Sequence, residues 1–220
     1  MPSDRSSPLD SPPLTSRIAV GLHKLGLALR HQTWSQASND GLSPTQGQIL
    51  AVLAGGALST SEVAGRVGIG LPTVSEAVKT LVAKRLVRRT PDERHPRARL
   101  LHLTAAGTRL SVRTLAWPEF LTQAVGALSG VEQATLLTAL IKMIRTLQEH
   151  GQIPVSRMCV TCIHFRPHVR GGDMPHHCTF VDTAMGAPQL RLDCADHAAA
   201  PAEQQRQAWT RFASTASPSV

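Results

Sequence analysis

Tyrosine is absent from this 220-residue chain, and aromatic residues make up only 3% of it. Stacking of nucleobases on aromatic side chains is therefore not expected as a binding mode. No run approaches the ~18 consecutive apolar residues of a membrane-spanning helix, so no membrane insertion is expected. The opening segment MPSDRSSPLDSPP has no apolar run of the kind that secretory signals carry, and a cytoplasmic location is expected.

The sequence motifs of common enzyme classes are also missing. Serine, histidine and aspartate are present, but there is no nucleophile elbow, no glycine loop that would cradle phosphate and no paired-carboxylate spacing. We therefore expect no enzymatic activity.

Acidic residues are the scarcer charge, with 15 Asp and Glu against 23 Lys and Arg and a net charge of +8. Between Ser59 and Arg113 there are eleven basic residues and four acidic ones, so a quarter of the chain holds almost all of the excess. Such a local concentration of positive charge is typical of a surface that binds nucleic-acid phosphates.

Helix signals follow one another through the same part of the chain. Ser43-Pro44 is a helix start, and Gly55-Gly56 ends that helix. Ser59 to Glu62 has capping-box spacing and starts a second helix. Gly68-Ile69-Gly70 is then a turn whose glycines can take positive φ, so the next helix can cross at the angle of a helix-turn-helix.

The helix that starts at Leu71-Pro72 has an apolar face and a polar face. Its buried stripe is predicted to be Val74, Ala77, Val78, Leu81 and Val82. The opposite face presents the side chains that we predict to enter the major groove of double-stranded DNA: Thr73, Ser75, Glu76, Lys79 and Thr80.

A basic hairpin is predicted next. Strand-like runs at residues 86–90 and 97–103 flank a turn-rich tip at residues 91–96, where prolines cost no ladder hydrogen bonds. We expect Thr104 to cap the helix that follows. Further DNA contacts are predicted at the end of the preceding helix and along the hairpin: Lys84, Arg88, Arg94, Arg97 and Arg99.

Read in order, the segments LSPTQ, STSEVAGRVGI, PTVSEAVKTL and LHLTAAG resemble the MarR family of bacterial transcriptional regulators. The resemblance covers less than half of the chain. It implies a homodimer, a recognition helix from Leu71 to Lys84 and a wing from Arg88 to Arg99. The wing of that family usually carries an Asp-Arg doublet before its second strand, and here His95-Pro96 occupies those positions.

Two flanking helices are expected to serve dimerisation. Residues 14–37 and 130–149 carry apolar side chains at helical spacing: Leu14, Ile18, Leu22, Leu25 and Leu29 in the first, and Val131, Ala134, Leu137, Leu140, Ile141, Ile144 and Leu147 in the second. A small winged domain could hardly cover both stripes, so we expect a twofold dimer and an inverted-repeat operator. The alternative is that both helices pack on the winged domain of their own chain.

All four cysteines lie between residues 159 and 194, namely Cys159, Cys162, Cys178 and Cys194, with the spacing C-x2-C-x15-C-x15-C. A reducing cytoplasm disfavours disulfides, which leaves ligation of a metal or cluster as the expected role. The segment has little apolar periodicity, and ligand bonds could replace a hydrophobic core as the nucleus of its folding.

Two cofactors fit this spacing. Four thiolates bind Zn²⁺ in many cytoplasmic proteins, although zinc ribbons usually supply a second C-x2-C pair. A [4Fe-4S] cluster accepts one close pair and two distant ligands, and it is narrowly favoured. The pattern CVTCIHF, CTFVD and LRLDCADH also weakly resembles the cluster-binding end of high-potential iron–sulfur proteins. Among the nearby histidines, His177 is the first choice for a substitute ligand or for a donor to a ligand sulfur.

The predicted fold is thus mainly α with a small β-hairpin wing: a disordered N-terminus at 1–13, a winged helix domain with dimerisation helices at 14–150, an irregular cysteine-rich module at 151–197 and a flexible tail at 198–220. We expect a DNA-binding regulator whose affinity responds to redox state, oxygen, nitric oxide or metal supply through the cysteine module. The alternative is a regulator with a purely structural zinc site that senses a small aromatic or phenolic ligand between its dimerisation helices and its winged domain.

Overall fold

The computed structural model describes residues 12–92, 99–116 and 118–214 of the chain. Contacts divide the chain into two compact units, Met1–Gln123 and Ala124–Val220. The predicted disordered N-terminus falls almost entirely outside the described residues.

The first unit alternates helices with very short strands. Its elements are α1 (Leu14–Asn39), α2 (Pro44–Leu53), β1 (Leu58–Ser59), α3 (Thr60–Val67), α4 (Leu71–Ala83), β2 (Val87–Pro91), β3 (Arg99–Leu103), α5 (Ala105–Leu115) and α6 (Glu119–Gly126), the last of which runs across the division between the units. This order is that of a winged helix-turn-helix, so the predicted fold class is confirmed for this part of the chain.

Local side-chain caps start three of these helices where the sequence predicts them. The Gln46 N–H donates to Ser43 Oγ over 3.2 Å, and Glu62 N–H donates to Ser59 Oγ over 3.3 Å. Thr104 Oγ1 accepts from Gly107 N–H over 3.1 Å. Each cap satisfies a backbone donor that the first turn of a helix leaves unpaired, so each boundary is encoded locally.

The hairpin belongs to a three-stranded antiparallel sheet in the order β1-β3-β2. Leu58 pairs with Leu101 across β1 and β3, and Val87 pairs with Leu103 across β2 and β3. The sequence pattern gave no sign of β1, because two residues are too few to show an alternation. The sheet packs with α2, α3 and α4 around one buried cluster: Ala37, Leu42, Ile49, Leu50, Leu53, Leu58, Val63, Val74, Val78, Leu81, Val87 and Leu101.

Helix α1 is covered very little by the other residues that the structure describes. Ala37 is its one buried residue within the described structure. Large apolar side chains along it are exposed: Leu14, Ile18, Val20, Leu25, Leu27, Leu29 and Trp34. A 26-residue helix with such a surface needs a further partner to bury it.

The second unit is more regular than the predicted irregular module. It contains α7 (Gly130–Glu149), β4 (Phe165–Arg166), β5 (His176–Cys178), β6 (Thr183–Met185) and α8 (Ala202–Ser214). The three strands form an antiparallel sheet in the order β4-β5-β6. Strands of two or three residues carry no readable periodicity, which explains why the sequence pattern missed them.

A hydrophobic core holds this unit together, contrary to the expectation that ligand bonds would have to replace one. Its buried members are Ile141, Met158, Val160, Phe165, Met185, Leu190 and Phe212. They come from segments far apart in the chain, so no local window of the sequence reveals them. Leu137 and Ile144 of α7 also pack against this core, so part of the stripe predicted for dimerisation is covered within the chain.

The predicted flexible tail is wrong for most of its length. Residues Ala202–Ser214 form α8, whose Phe212 and Ala208 are buried and whose Trp209 packs against the core. The apolar positions are few, but Ala208 and Phe212 stand one helical turn apart and face the same way. Residues 215–220 lie outside the described residues.

Gly107 is required by a close approach between α5 and the start of the hairpin. A Cβ atom at this position would lie 2.0 Å from the carbonyl oxygen of Leu86. We therefore expect Gly107→Ala to lower the free energy of unfolding by about 1–3 kcal/mol, the usual cost of overpacking. Urea denaturation followed by circular dichroism would measure the change.

Gly65→Ala in α3 is the matched control, because nothing lies within 4 Å of the added Cβ. It should raise the free energy of unfolding by about 0.5–1 kcal/mol through helix propensity. Equal stability of both variants would contradict the assigned close approach.

Candidate functional site

Helices α3 and α4 form the helix-turn-helix, and its turn depends on Gly68. Gly68 ends α3 with a φ of 69°, in the left-handed region that favours glycine, and its N–H donates to Ala64 O over 3.0 Å. Gly70 has a φ of −56°, so only the first of the two predicted turn glycines takes a positive φ.

One face of α4 is buried, and the face predicted to enter the major groove lies on the solvent-exposed side of the helix. Val74, Val78 and Leu81 are fully buried. Along the other side, Thr73, Glu76 and Lys79 are exposed, while Ser75 and Thr80 are half-buried. These five residues therefore form one polar surface, which we call the α4 polar face.

Part of the α4 polar face is hydrogen-bonded within itself. Lys79 Nζ lies 2.9 Å from Glu76 Oε2, with both side chains largely exposed, and Thr80 Oγ1 donates to Glu76 O over 3.2 Å. An exposed pair of this kind contributes ~0–1 kcal/mol, so a phosphate or a base edge could displace it at little cost.

Lys84, predicted to contact DNA, makes internal contacts in this structure. Its Nζ donates to Gly41 O over 2.6 Å and to Gln46 Oε1 over 3.0 Å. The ammonium group thus ties the end of α4 to the start of α2. Its contribution here is to the arrangement of the two helices.

The wing presents arginines on both faces of its hairpin. Arg88 pairs with His102, and Pro91 pairs with Arg99. Residues 88 and 91 stand an odd number of positions apart, so Arg88 and Arg99 point to opposite faces. Arg89 shares the face of Arg99 and is exposed, although it was not among the predicted contacts. Arg94 and Arg97 lie outside the described residues.

The four cysteines of the second unit line one cavity of about 220 Å³, which we call the cysteine cavity. All four are free and half-buried. Apolar side chains form much of the remaining wall: Phe165, Phe180, Val181, Ala184 and Met185. Cysteines up to 35 positions apart thus line the same cavity. Within residues 12–92, 99–116 and 118–214, no three His, Cys, Asp or Glu side chains stand close enough to hold a single metal ion.

Main-chain hydrogen bonds bring the first and last cysteines together. Cys159 N–H donates to Arg191 O over 3.1 Å, and Cys194 N–H donates to Arg157 O over 2.9 Å. A two-pronged contact from Arg157 to Asp193, at 2.7 and 3.1 Å, joins the same two segments. Asp193 also raises the pKa of the Arg157 guanidinium through this hydrogen bond.

The cavity is electrostatically unfavourable for bare thiolates. Burial raises the pKa of the Cys159 thiol, and the other three cysteines raise it further, whereas the N–H of Arg191 acts in the opposite direction. Ionising several of these thiols together therefore requires a positive counter-charge, which a metal or a cluster core would supply.

His177, the histidine chosen as a substitute ligand, does not line the cysteine cavity. Its Nε2 lies 3.0 Å from Asp182 Oδ1. The histidine that does line the cavity is His164, whose ring packs against Phe180 at 5.3 Å between centroids. His176 is buried instead among Phe165, Phe212 and His168, and burial lowers its pKa to about 4.

A second cavity of about 430 Å³ lies in the first unit among α1, α2, α5 and Pro118. The residues that line it include Trp34, Arg30 and Gln48. An apolar wall with a few polar groups is typical of a small-molecule site.

No described helix combines the length and the apolar character that crossing a membrane would require.

Solved structures share the winged fold. MepR of Staphylococcus aureus in its DNA-binding conformation is 22% identical, covers 59% of this chain and 98% of its own, and superposes with a TM-score of 0.54. The complex of S. aureus MepR with DNA is 23% identical, covers 59% of this chain and 97% of its own, and superposes with a TM-score of 0.52. YusO of Bacillus subtilis is 25% identical over 60% of this chain and 95% of its own, with a TM-score of 0.47.

One protein-family model matches part of the winged segment. The MarR family model matches residues 40–98, which include α2, α3, α4 and the first strand of the wing. The comparison with curated proteins finds no match. The resemblance of residues 159–194 to high-potential iron–sulfur proteins gains no support. The match to the MarR family model is thus confined to residues 40–98, about a quarter of the chain.

Proposed function

We propose that this protein is a homodimeric, sequence-specific DNA-binding regulator of transcription. The observation that carries the proposal is the α4 polar face, which stands outward from a helix-turn-helix and is followed at once by an arginine-bearing wing. A helix of this kind reads base edges in the major groove, while a basic wing contacts the sugar–phosphate backbone. The similarity to MepR, which is solved in complex with DNA, supports the same interpretation.

Dimerisation is supported by apolar surface that the chain leaves exposed. Helix α1 presents its long apolar stripe to solvent, and α7 exposes Val131, Leu136, Met143 and Leu147. On α7 the last three side chains lie roughly 120–160° around the helix axis from the buried Ile141, given ~100° per residue. A second copy of the chain that covers these stripes would set two α4 helices on one duplex and would favour an inverted-repeat operator.

Two kinds of substitution should separate backbone contacts from base contacts. Arg99→Ala should weaken binding to all duplexes by a similar factor and lower the salt slope by about one, because it removes one phosphate contact. Thr73→Ala should change which operator sequence is preferred. Fluorescence anisotropy on a selected operator and its single-base variants, at several salt concentrations, would measure both effects.

Arg170→Ala in the second unit is a control with the same change of charge, and it should leave affinity and salt slope unchanged. If Arg99→Ala and Thr73→Ala altered the sequence preference in the same way, the assignment of groove and backbone contacts would be wrong.

For the cysteine module, we propose that the four cysteines hold a [4Fe-4S] cluster. Zn²⁺ draws its four thiolates to ~2.3 Å and leaves no open space between them. The cysteine cavity instead has a volume of about 220 Å³, walls that are largely apolar and all four cysteines among its lining residues. A cube of four irons, each bound to a different thiolate, suits such a space better, and it would supply one-electron chemistry and sensitivity to oxygen or nitric oxide.

The cysteine cavity is coupled by packing to α7. Cys159, Cys162 and Cys178 pack against the same hydrophobic core as Leu137, Ile141 and Ile144. Loss of the occupant would loosen this packing, and α7 also carries the second, exposed apolar stripe. In this proposal the state of the cysteine site therefore biases the geometry of the dimer, and through it the spacing of the two α4 helices.

Removal of one cysteine should abolish both the cofactor and its effect on DNA. Wild-type protein purified anaerobically should be brown and contain about four irons per chain, whereas Cys178→Ser should be nearly colourless. Operator affinity should differ between the loaded and the iron-stripped wild type. Metal analysis, visible spectra and anisotropy titrations would measure these quantities.

His177→Gln is the neighbouring control, because His177 lies outside the cavity, and this variant should retain its iron. A colourless wild type with one zinc per chain would refute the cluster. Identical operator affinity with and without the cofactor would refute modulation.

A second function is favoured by the cavity among α1, α2 and α5. An apolar wall with Trp34 and a cation at Arg30 suits a small aromatic or phenolic anion. In this alternative the cysteine site holds structural zinc, and such a ligand sets the affinity for DNA. Trp34 fluorescence titrated with simple aromatic acids distinguishes the two, since only this alternative expects saturable quenching together with a change in operator affinity.

A further inference from the structure

Arg191 is the residue of the cysteine cavity with the most direct contacts to its sulfur atoms. Its main-chain N–H donates to Cys159 Sγ over 3.3 Å, and its guanidinium Nη1 lies 3.9 Å from Cys194 Sγ. It is also the one Lys or Arg among the residues that line this cavity in the described structure. A single residue thus offers two N–H donors and one positive charge to two of the four thiols.

The backbone fixes Arg191 in this position. Its carbonyl accepts from Cys159 N–H over 3.1 Å, so Arg191 and Cys159 are joined by two hydrogen bonds. The preceding Leu190 is buried in the core, and Leu192 packs against it. Because Leu190 and Leu192 both pack into the core, the side chain of Arg191 points away from the core and lines the cysteine cavity.

We propose that Arg191 sets the reduction potential of the cluster held by these cysteines; this inference rests on the cluster assignment made above. Four thiolates around a [4Fe-4S] core give a net charge of −2 when the core is 2+, and one added electron makes it −3. A nearby cation and N–H donors to sulfur stabilise the more negative form, so Arg191 raises the potential.

Asp196 provides the opposite charge on the same cavity. Its side chain also lines the cysteine cavity, on the solvent-exposed segment that follows Cys194. A carboxylate there disfavours the more negative form, so its removal should raise the potential. Removal of the charge at Arg191 and at Asp196 should therefore shift the reduction potential in opposite directions. A purely structural role for either residue would not produce this result.

The segments that carry Cys159 and Cys194 are also held together by a contact that does not involve the Arg191 side chain. Arg157 and Asp193 join them independently of the Arg191 side chain, and the Arg191 main-chain bonds survive any change of its side chain except to proline. The module should therefore remain folded when the guanidinium is removed.

The test is an anaerobic redox titration of full-length protein loaded with its cluster, with dithionite as the one-electron reductant and the reduced cluster followed by electron paramagnetic resonance. Arg191→Leu should shift the midpoint to more negative potential, Arg191→Lys should recover part of the shift, and Asp196→Asn should shift it to more positive potential. Arg170→Leu is the control for loss of one arginine charge in the same unit, and its midpoint should match the wild type.

The iron content of the purified protein distinguishes failure of the cluster assignment from failure of the role proposed for Arg191. A wild type without iron refutes the cluster and, with it, this inference. A brown wild type whose midpoint is unchanged in Arg191→Leu refutes only the role of Arg191. If Arg191→Leu fails to retain iron, Arg191→Gln decides, because it keeps a polar side chain and removes the charge: a midpoint equal to that of the wild type overturns the proposal.

Discussion

Burial of one face of α4 is the constraint on which the rest of the winged unit depends. Val74, Val78 and Leu81 are fully enclosed, and each such side chain contributes about 1.5–3 kcal/mol relative to exposure. The exposed pair of Glu76 and Lys79 contributes at most about 1 kcal/mol. The orientation of α4 is therefore decided by its apolar side, and the polar face points outward whether or not DNA is present.

In the second unit, burial of apolar side chains also positions the candidate site. Its core is drawn from α7, α8 and the short strands, and this core positions the main chain on which the cysteines stand. Burial and the other three cysteines raise the pKa of the Cys159 thiol, so thiolates in this cavity would need a positive counter-charge. Since α7 contributes to this core and also exposes a second apolar stripe, one helix can connect the proposed cofactor site with the surface proposed for dimerisation.

The sequence predicted features that depend on neighbouring residues and missed those that depend on distant ones. The caps at Ser43, Ser59 and Thr104 and the apolar stripe of α4 could be predicted, because each is encoded within one or two turns. The strand β1 is too short to detect, and the sequence pattern predicts a flexible tail in place of α8 because only two buried side chains decide its packing. At the cysteine site, the spacing identified the four thiols as a set. It gave no reason to prefer His164 over His177 or to notice Arg191, because those positions depend on how the segments fold back on one another.

We propose that two copies of this chain bind one duplex together through α4 and the wing. Sedimentation velocity of the full chain with a labelled operator measures this most directly, with low and high salt compared. We expect two chains per duplex at low salt and dissociation of the complex as salt rises. A single chain per duplex, or no salt-sensitive complex with any double-stranded DNA, would contradict it.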